Sequence, residues 1–232
     1  MAIAKRTEKP KKPGRQPGSG GVHLAEVATS YIENAIREGR YLPGQRLVEA
    51  DLAAETKLGI GPIREALRVL AGEGVIDLVP YKGARIRRLE KKDLISILQA
   101  LKGVGYTGLT LVAEAARQGK DVSALNDAMA VIRMSARRTN VATFMIRVAD
   151  FHTVVHALSG NDYLDKIAGR LHLNLFHREL ATYLPIEDWD GYVGTYEQIA
   201  KTLVAGDGDK AVKVFMKHMD NLIARLREEP RA

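Results

Sequence analysis

The chain has 232 residues, a net charge of +7 and no cysteine, and 46% of it is apolar. That length allows one large or two modest hydrophobic cores. The missing cysteines exclude disulfides, thiol catalysis and cysteine-based zinc ribbons, and no apolar run approaches the roughly 18 residues needed to cross a bilayer. The charge is unevenly placed: residues 1–90 hold 16 Lys/Arg against 11 Asp/Glu, leaving 19 against 17 for residues 91–232. A basic N-terminal part suits a polyanionic partner such as nucleic acid. The N-terminus carries no apolar signal region, so a cytoplasmic location is expected.

Residues 1–21, "MAIAKRTEKPKKPGRQPGSGG", are rich in Pro, Gly and Lys. They offer too little apolar surface to offset their ordering entropy and are expected to form a disordered basic tail. From Val22 the pattern changes: Leu24, Val27, Ala28, Tyr31, Ile32, Ala35 and Ile36 follow helical spacing until "GRYLPG" ends the helix. "LVEADLAAET" reads as a second, short helix and "PIREALRVLAGEG" as a third, with Ile63, Ala66, Leu67 and Leu70 on one face. After Gly74 the period shortens, and "VIDLV" and "ARIRR" flank "PYKG" as a hairpin would. Three short helices followed by a β-hairpin describe a winged helix-turn-helix over residues 22–89.

From Glu90 the strand signals vanish. Helices are expected at 91–118, 121–138, 141–159, 162–184, 194–206 and 208–228, with Asp121, Asn140, Asp162 and Asp207 or Asp209 as caps. Trp189 falls in the expected loop "LPIEDWDG". The predicted fold is therefore mainly α: an N-terminal winged helix-turn-helix and, over residues 90–232, an all-helical bundle of six to seven helices. In the bundle's first helix, Gly103, Gly105 and Gly108 weaken the helix and let backbones approach. A tight helix crossing and an open pocket are both compatible with them.

Arg64 and Arg68 lie one helical turn apart, opposite the Ile63/Leu67/Leu70 stripe, and must project outward from a helix packed by its apolar face. An exposed arginine fork near a helix N-terminus can pair with guanine O6 and N7 or clamp a phosphate. Lys82, Arg85, Arg87 and Arg88 add charge at the hairpin, where a wing meets the DNA backbone or minor groove.

The stretch "YLPGQRLVEADLAAE…GPIREALRVLAGEGVIDLVPYKGARI" resembles the DNA-binding domain of the GntR family of bacterial transcription regulators. Pro43, Gly44, Leu47, Glu49, Leu52, Ala53, Pro62, Arg64, Glu65, Ala66, Leu67, Leu70, Gly74, Val75 and Gly83 carry the resemblance. It implies DNA contacts from Arg46, Arg64 and the wing around Lys82 and Gly83. One departure stands out: Gly59, Ile60 and Gly61 replace the family's usual Ser-Arg-Thr, so a hydroxyl and a guanidinium aimed at DNA are missing. Gly61 is expected to cap the third helix, Pro62 to take its first position, and the glycine N–H groups to approach phosphate. The DNA-binding set is thus Arg46, Gly61, Arg64, Arg68, Lys82 and Gly83.

"DFHTVVHALSGNDYL" at 150–164 and "AGDGDKAVKVFMKHM" at 205–219 resemble the FCD type of effector domain, found in the FadR-like branch of the same family. That resemblance implies a dimeric helical bundle that binds small carboxylates, often through a metal held by one Asp and three His. Only His152 and His218 match; the Asp position is Val148 and the remaining His position is Tyr196. Asp150 lies two residues from His152, about 200° around a helix, and cannot substitute. His156, four residues after His152, shares its face. Two readings stay open: a rebuilt zinc or nickel site from His152, His156 and His218, or metal-free pocket or core histidines, which the short ligand set favours. His152, His156, Tyr196 and His218 form the expected effector pocket. His172 and His177 could line a pocket with Arg170 and Arg178 or occupy amphipathic surface positions, and the surface is the favoured reading.

No nucleophile–base or acid–base set stands out, so an enzyme is not expected. The expected function is a homodimeric regulator of a double-stranded DNA operator, its affinity modulated by a small metabolite, a carboxylate by resemblance. The alternative is a constitutive dimeric DNA-binding protein whose second domain has lost ligand and metal binding.

Overall fold

A computed structural model describes residues 19–79, 83–136, 138–171, 173–183 and 189–228, with the backbone alone for 19–22 and 174. Helix α1 (Ser19–Glu38) begins inside the segment expected to be a disordered tail, so residues 19–21 are helical. It buries Ala28, Ile32, Ala35 and Ile36 against α3 (Ile60–Gly72), whose buried face is Ile63, Ala66, Leu67 and Leu70. Gly39, at φ 79°, turns the chain out of α1. Two elements lie between α1 and α3: a two-residue strand β1 (Arg46–Leu47) and α2 (Glu49–Thr56). The strand is absent from the sequence reading because two residues have no period to detect.

Helix α3 starts earlier than expected. Gly59, not Gly61, is its N-cap, and Ile60 and Gly61 are its first two helical residues. Pro62 therefore stands third rather than first, and its missing N–H still costs nothing because none of the first-turn N–H groups has an intrahelical acceptor. Strands β2 (Ile76–Val79) and β3 (Gly83–Ile86) pair antiparallel with Val79 opposite Gly83, and β1 pairs on the far side of β3, giving the order β1-β3-β2.

The bundle comprises α4 (Lys91–Arg117), α5 (Ala124–Ser135), α6 (Val141–Leu158), α7 (Asp162–Gly169), α8 (Leu173–Tyr183), α9 (Trp189–Val204) and α10 (Gly208–Glu228). The helix expected over 162–184 is two helices. Gly169 lowers propensity at the break, and the segments bury different sets, Leu164 and Ala168 in α7 but Leu175, Phe176 and Leu180 in α8. Asn161 rather than Asp162 caps α7, accepting from the Tyr163 N–H at 3.1 Å. Asn140 caps α6, accepting from the Thr143 N–H at 2.8 Å. Trp189 is the first residue of α9, not a loop residue, and its ring meets Phe144 edge-on at 5.0 Å.

Helices α4 and α6 are, contrary to the sequence reading, long and apolar enough to span a membrane. In this fold that apolarity serves packing: α4 lies against α6, α9 and α10, burying Leu94, Leu98, Leu109, Val112 and Ala113. Of the three α4 glycines, a Cβ on Gly105 would run into the Phe215 ring of α10, one on Gly108 would lie 3.2 Å from Val155 of α6, and one on Gly103 would meet nothing within 4 Å. The motif is a close crossing at two positions and open at the third. One apolar cluster runs from Ala28 through Leu89, Leu94 and Leu98 to Leu226, so the DNA-binding part and the bundle share a continuous core.

Candidate DNA interface and histidine cavity

With its apolar face on α1, helix α3 turns Arg64 and Arg68 to solvent, their side chains 55% and 65% exposed. A groove of about 510 Å³ separates α3 from the hairpin, lined by Arg46, Glu49, Arg64, Arg68 and Gly83 among others. Arg64 donates twice to Glu49, the first residue of α2: Nε to Oε1 at 3.1 Å and a terminal nitrogen to Oε2 at 2.8 Å. The hydrogen bonds to Arg64 hold the Glu49 carboxyl below its ordinary pKa, and the same pairing raises that of Arg64. Arg68 makes a single, longer contact to Glu65 at 3.3 Å.

Arg46 sits across β1–β3 from Arg85, and Gly83 adopts a φ of 83° that L side chains rarely take. A Cβ on Gly61 would have nothing within 4 Å, so this face of the helix start is open. Lys82 lies outside the described residues. Five of the six expected DNA-binding residues therefore belong to this end of the molecule, four of them on the groove wall and Gly61 on the neighbouring turn of α3. Glu49, which the sequence reading used only as a motif residue, joins them.

In the bundle, His152 and His156 of α6, His177 of α8 and Phe215 and Met219 of α10 line a closed space of about 30 Å³, with Leu101, Val104 and Gly105 of α4. A second, more open compartment of about 200 Å³ shares Ala149, His152, His156 and Leu173 with it and is also lined by Asp165 of α7 and Glu33 of α1. His177 is buried, correcting the expectation of a surface position. Its i, i+4 neighbour Leu173 is also on the wall, which places α8's inner face here. His172 lies outside the described residues. Arg178, next to His177, points the other way, donating from Nε to the Ile36 carbonyl at 2.6 Å and from a terminal nitrogen to the Arg37 carbonyl at 2.7 Å. Those carbonyls belong to the last turn of α1, where backbone acceptors and the helix dipole favour a cation.

The four expected pocket residues are only partly assembled. His152 Nε2 and the Tyr196 hydroxyl are 3.2 Å apart, and His156 Nδ1 meets Asp165 Oδ1 at 3.3 Å. The Tyr196 ring touches both His152 and His218 edge-on. His218, however, lines a different, open groove of about 800 Å³ on α9 and α10, beside Thr195, Gln198, Lys210, Lys213, Lys217 and Asn221. Burial drives the imidazoles toward the neutral form: His152 is lowered to about 3, and His177 and His218 to about 4. Burial also raises the Tyr196 phenol well above its ordinary value.

A divalent metal does not fit these residues. Among the described residues no group of three or more His, Asp or Glu side chains is placed to hold one. Of the two open readings, the zinc or nickel site at His152, His156 and His218 is not built. The Tyr196 hydroxyl meets His152 Nε2, His218 lines a separate groove, and Val148 is buried where a carboxylate would be required. Nor is any described residue of the two histidine-lined compartments a lysine or arginine.

Comparison with known proteins agrees with both halves of this geometry. The profile of bacterial regulatory proteins of the gntR family matches residues 24–86, and the FCD domain profile matches residues 96–221. The chain belongs to the GntR family and carries an FCD domain; it is a DNA-binding transcriptional regulator. It is 24% identical to the HTH-type transcriptional repressor GlaR of Escherichia coli K12, over 82% of this chain and 89% of that protein. It is 28% identical to the Nta operon transcriptional regulator of Aminobacter aminovorans, over 81% and 89%. Among solved structures, a GntR regulator from Rhodococcus sp. RHA1 superimposes with a TM-score of 0.75 at 18% identity, covering 90% of this chain and 100% of that one. E. coli McbR/YncC gives a TM-score of 0.74 at 17% identity, over 88% and 97%. Those two likenesses establish the fold.

Proposed function

We propose that this regulator is a cytoplasmic homodimer that binds a pseudo-palindromic operator through α3 and the wing, and that a small molecule entering the histidine cavity changes its grip on DNA. One observation carries the coupling. The outer compartment is lined in part by Glu33 of α1, and α8 presents His177 to the inner compartment while the adjacent Arg178 holds the last carbonyls of α1. A ligand that shifts α8 or pushes on Glu33 therefore acts on the helix that carries α3. Such coupling is typically worth about 1–3 kcal/mol, or roughly 5- to 150-fold in affinity.

The wall chemistry favours an uncharged ligand with one hydrogen-bonding group over the carboxylate that the family resemblance implies. A buried carboxylate needs a partner charge, the walls supply the neutral imidazoles of His152 and His177, and Asp165 and Glu33 stand at the outer side. Homodimerisation is supported by exposed apolar side chains on the packed pair α4 and α7: Tyr106, Tyr163 and Ile167. The division of labour is residues 22–89 for DNA and 90–232 for ligand and partner subunit.

The test has two arms on the full chain. Duplexes are selected from a random-sequence library, and their binding is then titrated with a panel of uncharged and carboxylated metabolites that raise the melting temperature. The expected result is an enriched inverted repeat whose affinity changes with a stabilising ligand in the wild type but not in Arg178→Ala. No enriched motif refutes the operator reading. A motif with no ligand effect supports the alternative of a constitutive DNA-binding dimer with a closed, ligand-free bundle.

A further inference from the structure

We infer that Glu49 is a positioning residue for base reading: its carboxylate holds Arg64 side-on so that the far edge of the guanidinium faces the major groove. This rests on the DNA-binding reading above and concerns how the first turns of α3 read sequence without a hydroxyl or second guanidinium in front of them.

A guanidinium is a planar fork with five N–H donors. One edge is formed by Nε–H and one hydrogen of a terminal nitrogen; a second edge is formed by the two terminal nitrogens. Glu49 takes the first edge with both oxygens, at 3.1 and 2.8 Å. The end-on edge is left open, and its two terminal N–H donors can pair bidentately with O6 and N7 of guanine. Carboxylate and guanine therefore occupy different edges of one side chain and can be bound together. Fixing the side chain beforehand removes rotamer entropy that a free arginine loses on binding.

The neighbouring cations lack this arrangement. Arg68 has one contact, at 3.3 Å, to a glutamate on its own helix. Glu49 instead belongs to the first turn of α2, where a carboxylate is favoured by the unpaired N–H groups. Its pairing with Arg64 also ties α2 to α3. Gly59, Ile60 and Gly61 bring no polar side chain to the helix start, so Arg64 is the foremost side-chain donor of α3. A carboxylate on the wall of a DNA groove otherwise only repels phosphate.

That last point gives the experiment its sign. Duplexes are selected from a random-sequence library by the wild-type chain, by Glu49→Ala and by Glu49→Gln. Affinities for the wild-type-selected duplex and for a scrambled duplex are then measured across a salt series. Positioning predicts that Glu49→Ala binds scrambled duplex as tightly as wild type or tighter, yet loses about 5- to 30-fold on the selected duplex. Guanine enrichment at one symmetric position of its motif should fall, and Glu49→Gln, which retains one acceptor oxygen, should be intermediate. If Glu49→Ala tightens both duplexes equally, the carboxylate is only a counter-charge and the inference is wrong. If both duplexes weaken equally and Glu49→Gln melts below wild type, the pair only braces α2 on α3, which also overturns it. A wild-type chain that selects no motif removes the operator reading itself; a wild-type motif retained in Glu49→Ala removes this inference alone.

Discussion

Two glycines in one helix should respond to the same substitution with opposite signs. Gly103 and Gly105 both lie in α4, two residues apart. A Cβ at Gly103 meets nothing within 4 Å, whereas a Cβ at Gly105 lands on the Cε1 and Cζ atoms of Phe215, a fully buried ring of α10. Replacing glycine by alanine in a helix interior contributes about 0.8–1.0 kcal/mol of stability from backbone entropy alone. Gly103→Ala should keep that gain. At Gly105 it is opposed by overpacking against an aromatic ring with no flexible end to swing aside, which typically costs about 1–3 kcal/mol. The net effect there is destabilisation of up to about 2 kcal/mol, and the two variants should differ by about 1–3 kcal/mol. For a chain of this size that separates their melting temperatures by about 2–12 °C. Urea unfolding followed by far-UV circular dichroism, with scanning calorimetry, measures both quantities. Replacing Phe215 by leucine in the Gly105→Ala background should recover part of the loss. Equal midpoints for the two single variants, or a higher one for Gly105→Ala, would show that the α4–α10 crossing is not this close.

Other expectations follow from the same geometry. His177 and His218 are held neutral by burial in the folded chain, at about 4, while the unfolded chain takes up protons near 6.5. Stability is then complete above pH 6.5 and falls as the pH drops toward 4, by up to roughly 1.4 kcal/mol per pH unit for each histidine. A melting temperature unchanged between pH 6.5 and 5 would contradict this, and His177→Gln should flatten the dependence. Arg178→Ala removes the donors to Ile36 and Arg37, so amide hydrogen exchange in the last turn of α1 should accelerate while DNA selectivity without ligand is retained. Arg64→Ala should lose about 10- to 100-fold on selected DNA and relax one base position. Arg68→Ala, by contrast, should weaken all duplexes alike and lower the salt slope by about one. Unchanged selectivity in Arg64→Ala would reassign base reading to another element.

The architecture was legible in the residues themselves because periodic burial leaves a record. The stripe Ile63/Leu67/Leu70 implies a helix with Arg64 and Arg68 opposite, and the structure has that face outward. "VIDLV" and "ARIRR" around a Pro–Gly turn imply the hairpin. What failed was local and short. The strand Arg46–Leu47 exists only because β3 offers it an edge. The break between α7 and α8 arises because the two segments bury toward different neighbours, which a continuous helical pattern does not reveal.

Composition, charge placement and periodicity thus determined a mainly helical protein with a basic winged head, since each is a property of residues near one another in the chain. The resemblance to GntR regulators with an FCD domain added the regulator role, and implied that two of four metal-ligand positions were gone, at Val148 and Tyr196. Contacts between distant segments were decided by tertiary structure. Only there does the Tyr196 hydroxyl come to His152, 44 residues away, Arg178 reach the end of α1, and His177 turn inward while Arg178 turns outward. The same holds for Glu49 and Arg64, 15 residues apart in sequence. A motif names both residues, but their contact depends on how α2 docks on α3, which no local pattern encodes.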